Sequence, residues 1–200
     1  MRYLKTAVAS LSVMLMGTSF AASDLNGTYR QVGNATCIAA LGGFDATDTA
    51  ILSTGSTTSS TALTITGTMT FTESTGTVKF ADTIFNISNG IVPGNPTANY
   101  FQANTQTLLG KYKFTTTTDG NNNTSVTMKT VGAQTGTITA GAQKGGAISI
   151  TGAPNLVGSV LPSGQIVLAY GGAPVIQAES YNGKNYSLIC NITDTLYPVP

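Results

Sequence analysis

Residues Thr61 to Ser74 read TALTITGTMTFTES. Leu63, Ile65, Met69 and Phe71 alternate there with Thr64, Thr66, Thr68, Thr70 and Thr72. That period of two sets an apolar face against a core and a hydroxyl face toward water. The pattern returns along the chain. Within Leu108–Thr116, Tyr112 and Phe114 oppose Lys111 and Lys113, and Val126 and Met128 oppose Thr127 and Lys129. Ile148 and Ile150, then Ile166, Leu168 and Tyr170, continue the series, and the last run puts Tyr186, Leu188, Cys190 and Ile192 on one face.

Turn chemistry separates these runs. Asn182-Gly183 is a two-residue hairpin signal between Val175–Tyr181 and Lys184–Thr193, because both residues accept the positive φ such a turn requires. Thr75-Gly76 turns the opening stretch back into Thr77–Ile87, Asp119-Gly120-Asn121-Asn122-Asn123 links two strands, and Pro162-Ser163-Gly164 introduces Gln165–Tyr170. Roughly one residue in six is Thr, which is β-branched and favours strands. A short helix is expected only around Ile38–Leu41, stopped by Gly42-Gly43. Thr47–Ser60 reads as a surface loop and Gly90–Gln106, with Pro93 and Pro96, as a long connection. The fold class is all-β, a single-domain antiparallel β-barrel or β-sandwich.

Composition removes much familiar chemistry. The 200 residues include no His and no Trp, and 8% are charged. Ser-His and Cys-His nucleophile pairs and His-bearing zinc sites are therefore excluded. Met1–Ala21 has the order of a secretory signal peptide: Arg2 and Lys5 at the start, an apolar run over Ala7–Met16, and small residues at Ser19 and Ala21. The run is shorter than the roughly 20 residues of a permanent helical span, so no stable membrane span is expected. The expected product is a single β-domain, residues 22–200, exported by a bacterium to its periplasm, surface or medium. Removing Arg2 and Lys5 from the nine basic residues leaves seven against eight acidic ones, a net charge of −1. Arg30 is then the one arginine, and the lysines stand singly along the sequence. Nucleic-acid binding relies on clustered basic residues, so none is expected.

Cys37 and Cys190 are the two cysteines. In an oxidising compartment such a pair reads as a disulfide. It would close a loop of about 150 residues, worth about 5 kcal/mol in the chain-entropy description. Two thiolates with neither His nor clustered carboxylates make an incomplete metal site, and no metal or cofactor is expected.

The remaining constellations read as structural. Glu73 and Glu179 would have to flank a sugar-binding cleft to act as a glycosidase pair; the simpler reading is two solvated strand-end charges. Asp45 and Asp48 read as caps on local backbone. Asp119–Asn123 begins like an oxygen-ligand calcium loop, but Thr124 and Thr130 stand where the turn Gly and the bidentate Glu belong. No phosphate-binding loop or Gly-x-Ser-x-Gly motif is present. A non-catalytic protein is expected.

Asn26-Gly27-Thr28-Tyr29, the many alternating strands and a disulfide tying early to late sequence resemble the lipocalin or calycin class of small secreted barrels. Gly27 and Tyr29 take the places of Gly and Trp in that class's first-strand motif. The chain departs from it in having no Trp and no later Thr-Asp-Tyr signature. The resemblance implies a calycin-like barrel. Two functions are expected, the first from the Thr-rich, charge-poor composition with no recognisable site. One is surface or extracellular protein–protein contact or self-assembly, in adhesion, matrix or filaments, through an edge strand completed by another subunit. The other is carriage of a small apolar ligand in the barrel, lined by Phe71, Tyr112, Phe114 and Tyr170.

Overall fold

The computed structural model describes residues 25–51, 58–91, 100–172, 175–181 and 184–200. The leader expected at Met1–Ala21 and the turn expected at Asn182-Gly183 lie outside them. The strands are β1 (Gly27–Ala40), β2 (Thr58–Thr72), β3 (Thr77–Ile91), β4 (Tyr100–Thr118), β5 (Thr124–Thr130), β6 (Gln134–Ala140), β7 (Ala147–Thr151), β8 (Leu156–Val160), β9 (Ile166–Tyr170), β10 (Gln177–Tyr181) and β11 (Lys184–Pro198). Among the described residues there is no α-helix, and no helix long and apolar enough to cross a membrane.

All pairings are antiparallel, and they close. β1 to β4 lie side by side in chain order. The far end of β4 pairs with β5, from Tyr112↔Thr130 to Thr118↔Thr124, and its near part with β6, from Thr105↔Ala140 to Leu109↔Thr135. β5 and β6 are thus two halves of one long strand. β8 and β7 continue it as halves of the next, and β9 and β10 of the one after. β11 runs beside both halves and then pairs with β1, from Tyr29↔Pro198 to Ala40↔Ser187. Any circuit crosses eight strands: β1, β2, β3, β4, one of β5 or β6, one of β8 or β7, one of β9 or β10, and β11. The fold is an eight-stranded up-and-down barrel, the size at which the interior is filled by side chains or holds one small ligand.

The three split strands break side by side. Gly132, Gly152 and Gly172 have φ of +71°, +72° and +116°, a backbone region closed to most side chains but open to glycine. They stand twenty residues apart, each followed by Ala. Thr130 Oγ1 donates to the Ala153 carbonyl at 3.1 Å, and Gly171 N–H to the Asn155 carbonyl at 3.0 Å. These bonds tie one break to the next, so the interruptions run along a line across the wall.

The disulfide forms at the seam. Cys37 faces Cys190 directly across β1 and β11, staples the first strand to the last, and fits an oxidising, non-cytoplasmic setting.

Three local expectations are corrected. Ile38–Leu41 is not helical: β1 runs on through Ala40 because it has partners on both sides, Ile38 pairing with Ser60 and with Ile189. Of the connection expected over Gly90–Gln106, Gly90, Ile91 and Tyr100–Gln106 are strand, with β3 and β4 in register from Gly90↔Tyr100 onward, and 92–99 lie outside the described residues. The inward residues there, Asn104 and Gln106, are polar, which hid the alternation. The lysines that stand singly in sequence are gathered by the register: Lys79 faces Lys111, Lys113 faces Lys129, and all four lie on the outer surface of β3, β4 and β5.

Other expectations appear as structure. The Thr75-Gly76 turn is a 3-10 turn over Glu73–Thr75 ended by Gly76. Asp119 closes the β4–β5 hairpin by accepting from the backbone N–H of Asn121 and Asn123 and the Asn123 side-chain amide, all within 2.9 Å. Asp45 accepts from the backbone N–H of Thr47 and Thr49. These bonds hold both exposed carboxyls below the ordinary carboxylate value.

Candidate functional site

The barrel interior has an apolar floor. Phe71 packs edge-on to Tyr29 and to Phe114, each at 5.2 Å between ring centroids. Met69, Val78, Val126, Met128 and Leu196 fill the space around them and are almost completely buried. Burying the hydrocarbon of such side chains contributes on the order of 2 kcal/mol each, so this end supplies much of the driving force for folding.

Above the floor lies a cavity of about 360 Å³. Its waist is polar. Gln31, Asp82, Asp194, Gln134 and Gln177 are all at least nine-tenths buried and line it. Toward the other end follow Asn86, Ser88, Asn104, Gln106 and Glu179. Leu63, Ile65, Ile84, Leu108 and Ile150 stand between these groups, so the wall is mixed.

The two aspartates are placed by glycines. Asp194 faces Gly33 across β11 and β1, and Asp82 faces Gly67 across β3 and β2. A Cβ on Gly33 would overlap Oδ1 of Asp194, and one on Gly67 would overlap Oδ1 of Asp82. Each carboxyl therefore lies folded over the bare backbone of its neighbour, Asp194 over β1 and Asp82 over β2. Gln31 sits between them, opposite Gly67 in the β1–β2 register. Strand-interior glycine marks such close approach.

Burial raises the pKa of both carboxyls. Asp194 is pushed up to about 6 by desolvation, against which a hydrogen bond from Gln31 works. Asp82 is pushed up to about 8, first by desolvation and then by the charge of Asp194. The pair thus gives up its two protons in separate steps and holds one through neutral pH. Burial takes Glu179 to about 7. This corrects the expectation of a solvated charge: Glu179 faces inward from β10, whereas Glu73 is exposed on its turn.

Two phenol–amide pairs complete the waist. Gln134 Nε2 donates to the Tyr112 hydroxyl and Gln177 Nε2 to the Tyr170 hydroxyl, both at 3.2 Å. Desolvation raises both phenols, and the Asp82 charge adds to this at Tyr112.

Of the four residues expected to line a ligand cavity, Tyr112 and Tyr170 stand on the cavity wall, while Phe71 and Phe114 belong to the packed floor beneath it. The acidic and amide residues were missed. A signal existed: extending the face Tyr186, Leu188, Cys190, Ile192 by one step reaches Asp194, and Val78, Phe80, Ile84 share their phase with Asp82 and Asn86.

Protein-family models, curated proteins and solved structures yield no match to this chain. The site's own chemistry carries the functional reading. Most of its polar side chains are carboxyls, carboxamides or phenols, with the hydroxyls of Ser59, Thr61 and Ser88 beside them. Among the residues whose side chains are described, no Lys or Arg lines it.

Proposed function

We propose that the protein binds and carries a small molecule inside its barrel. The observation that carries this reading is the cavity: a closed wall, an apolar floor, and about 360 Å³ of space, near the lower end of the roughly 300–1,000 Å³ of small-molecule sites. A barrel of this size built only for stability would fill its middle with aliphatic side chains. Here buried carboxyls and amides occupy it, at a cost in stability. The mixed wall suits an amphiphilic ligand better than a purely apolar one.

One stretch of the outer surface suits a barrel in water, although Val32, Ile38, Phe85 and Leu109 are also exposed on the wall. Thr66, Thr83, Thr107 and Thr137 are successive cross-strand partners and form an outward belt of hydroxyls around part of the wall, where a membrane barrel would carry its apolar band. Assembly by strand addition is the competing reading. It needs a free strand edge, whereas each described strand has a partner on both sides.

Native mass spectrometry of the mature protein, isolated without denaturant from the cells that make it, tests the proposal. A monomer carrying a discrete small-molecule mass is expected. A ladder of subunit multiples with no added mass would refute carriage in favour of assembly.

A further inference from the structure

We infer that the ligand is an organic cation, an amphiphilic amine whose ammonium group sits between Asp82, Gln31 and Asp194. This inference rests on the carrier reading and names its ligand class.

The first observation is the identity of the unmatched groups. Oδ1 of Asp82, Oδ1 of Asp194, Oε1 of Gln31 and Oδ1 of Asn86 have no hydrogen-bond partner within the protein. All four residues are more than nine-tenths buried and line the cavity. Every one of these atoms is an oxygen, and apart from the single proton the carboxyl pair holds at neutral pH they can only accept. Native interiors rarely leave acceptors unmatched, and a cluster of them calls for a guest rich in donors. An ammonium group has three N–H donors and no acceptor.

The second observation is the charge. Asp82, Asp194 and Glu179 bring three of the eight acidic residues of the chain to one cavity. Among the residues whose side chains are described, no basic group lines it. An anion would be repelled, and a neutral hydrocarbon would leave the acceptors unmatched. A metal ion is a poor occupant, since the described residues contain no group of three or more Asp, Glu, His or Cys placed to hold one.

The third observation is the construction. Gly33 and Gly67 are the room into which the two carboxyls fold, and any side chain there would collide with them. Across the cavity stand Tyr112 and Tyr170, whose hydroxyls accept from Gln134 and Gln177 and so keep their own protons to donate. Their rings, with Phe80 tilted against Tyr112 at 5.3 Å, offer aromatic surface to the apolar body of an amine and attraction to its charge.

The experiment is a ligand-observed NMR screen of the mature, disulfide-bonded protein. The library holds small fragments in three shape-matched charge classes: primary amines, the corresponding alcohols, and the corresponding carboxylates. At about pH 8.5, where the carboxyls are largely ionised, amines are expected to dominate the hits. In the Asp82→Asn, Asp194→Asn double variant amine affinity should fall by about tenfold or more, the loss of charge-assisted bonds, while alcohols bind as before. The substitutions keep shape and remove buried charge, so the melting temperature should hold or rise, which separates lost binding from lost fold. Alcohols matching amines in the wild-type protein would overturn the cation and leave the carrier standing. Binding by no class would overturn both.

Discussion

Replacing Asp82 by Asn should make the protein more stable in mild alkali and leave it nearly unchanged in mild acid. An unfolded aspartate titrates near 3.8, and burial moves Asp82 to about 8 in the folded chain. Between those values the folded protein holds a proton that the unfolded chain has released, so stability is greatest at low pH and falls as pH rises toward 8. From pH 5 to pH 8 the ceiling is about 4 kcal/mol, three pH units at about 1.4 kcal/mol each. Relaxation and water entry around the carboxylate bring the expected loss to about 2 kcal/mol. Asp194 and Glu179 are raised as well and add loss of the same sign. Asp45 and Asp119 are lowered and act only in more acid solution. The chain has no His to confuse the window. Urea midpoints at pH 5, 6, 7 and 8 for wild type and Asp82→Asn would measure this. The variant should match wild type at pH 5 and exceed it by about 2 kcal/mol at pH 8. A wild-type profile that is flat or rises with pH would refute the reasoning, as would a variant destabilised equally at every pH.

Three further outcomes follow from the same geometry. Gly33→Ala should cost about 1–3 kcal/mol by overpacking, because its Cβ would meet both the Asp194 carboxyl and the Thr193 carbonyl, and the loss should appear as a lowered denaturation midpoint. Cys37→Ala with Cys190→Ala should lower stability by about 3–5 kcal/mol yet leave far-UV dichroism of a β-protein at low temperature, since the β1–β11 ladder has twelve paired positions. Lys111→Glu should stabilise by about 0.5 kcal/mol, the gain shrinking in high salt, because Lys111 directly faces Lys79; a loss instead would show that the four-lysine face does not repel itself.

The legible part of the fold was the part whose inward residues are apolar. Leu63, Ile65, Met69 and Phe71 announce β2, and Tyr112 and Phe114 announce the far half of β4. Where the inward face turns polar, at Gln102, Asn104 and Gln106, the period remains but its hydrophobic contrast is gone, and that strand was read as a connection. The same contrast rule hid the site. Asp82, Asp194 and Glu179 each keep the inward phase of their strands, but a charge in that phase is ordinarily a solvated residue, and only pairing across the closed barrel shows that no outer face is available to them. The floor and the wall could not be told apart from sequence for a different reason. Phe71 and Tyr112 both point inward, and their heights in the barrel depend on stagger between strands, which alternation does not encode.

The two halves of the wall differ in a way that bears on what the cavity holds. β1, β2, β3 and β11 run without interruption and carry Gln31, Asp82 and Asp194, and the disulfide locks β1 to β11 on that side. The opposite side is the one split along Gly132, Gly152 and Gly172. Gln134 follows the first break and Gln177 the third, and each reaches a tyrosine on the other side of its break line, Tyr112 and Tyr170. The carboxyls thus sit on the uninterrupted, disulfide-linked half of the wall, and the proton they hold at neutral pH is what limits repulsion between them. Tyr112 and Tyr170 sit beside the interruptions. A buried acidic pair held this way is costly while nothing answers it and favourable once a cation does, because interactions in a low-dielectric site weigh more than in water. The apolar floor offsets that cost with packing that no ligand disturbs, so the barrel can keep its fold while its middle remains unsatisfied.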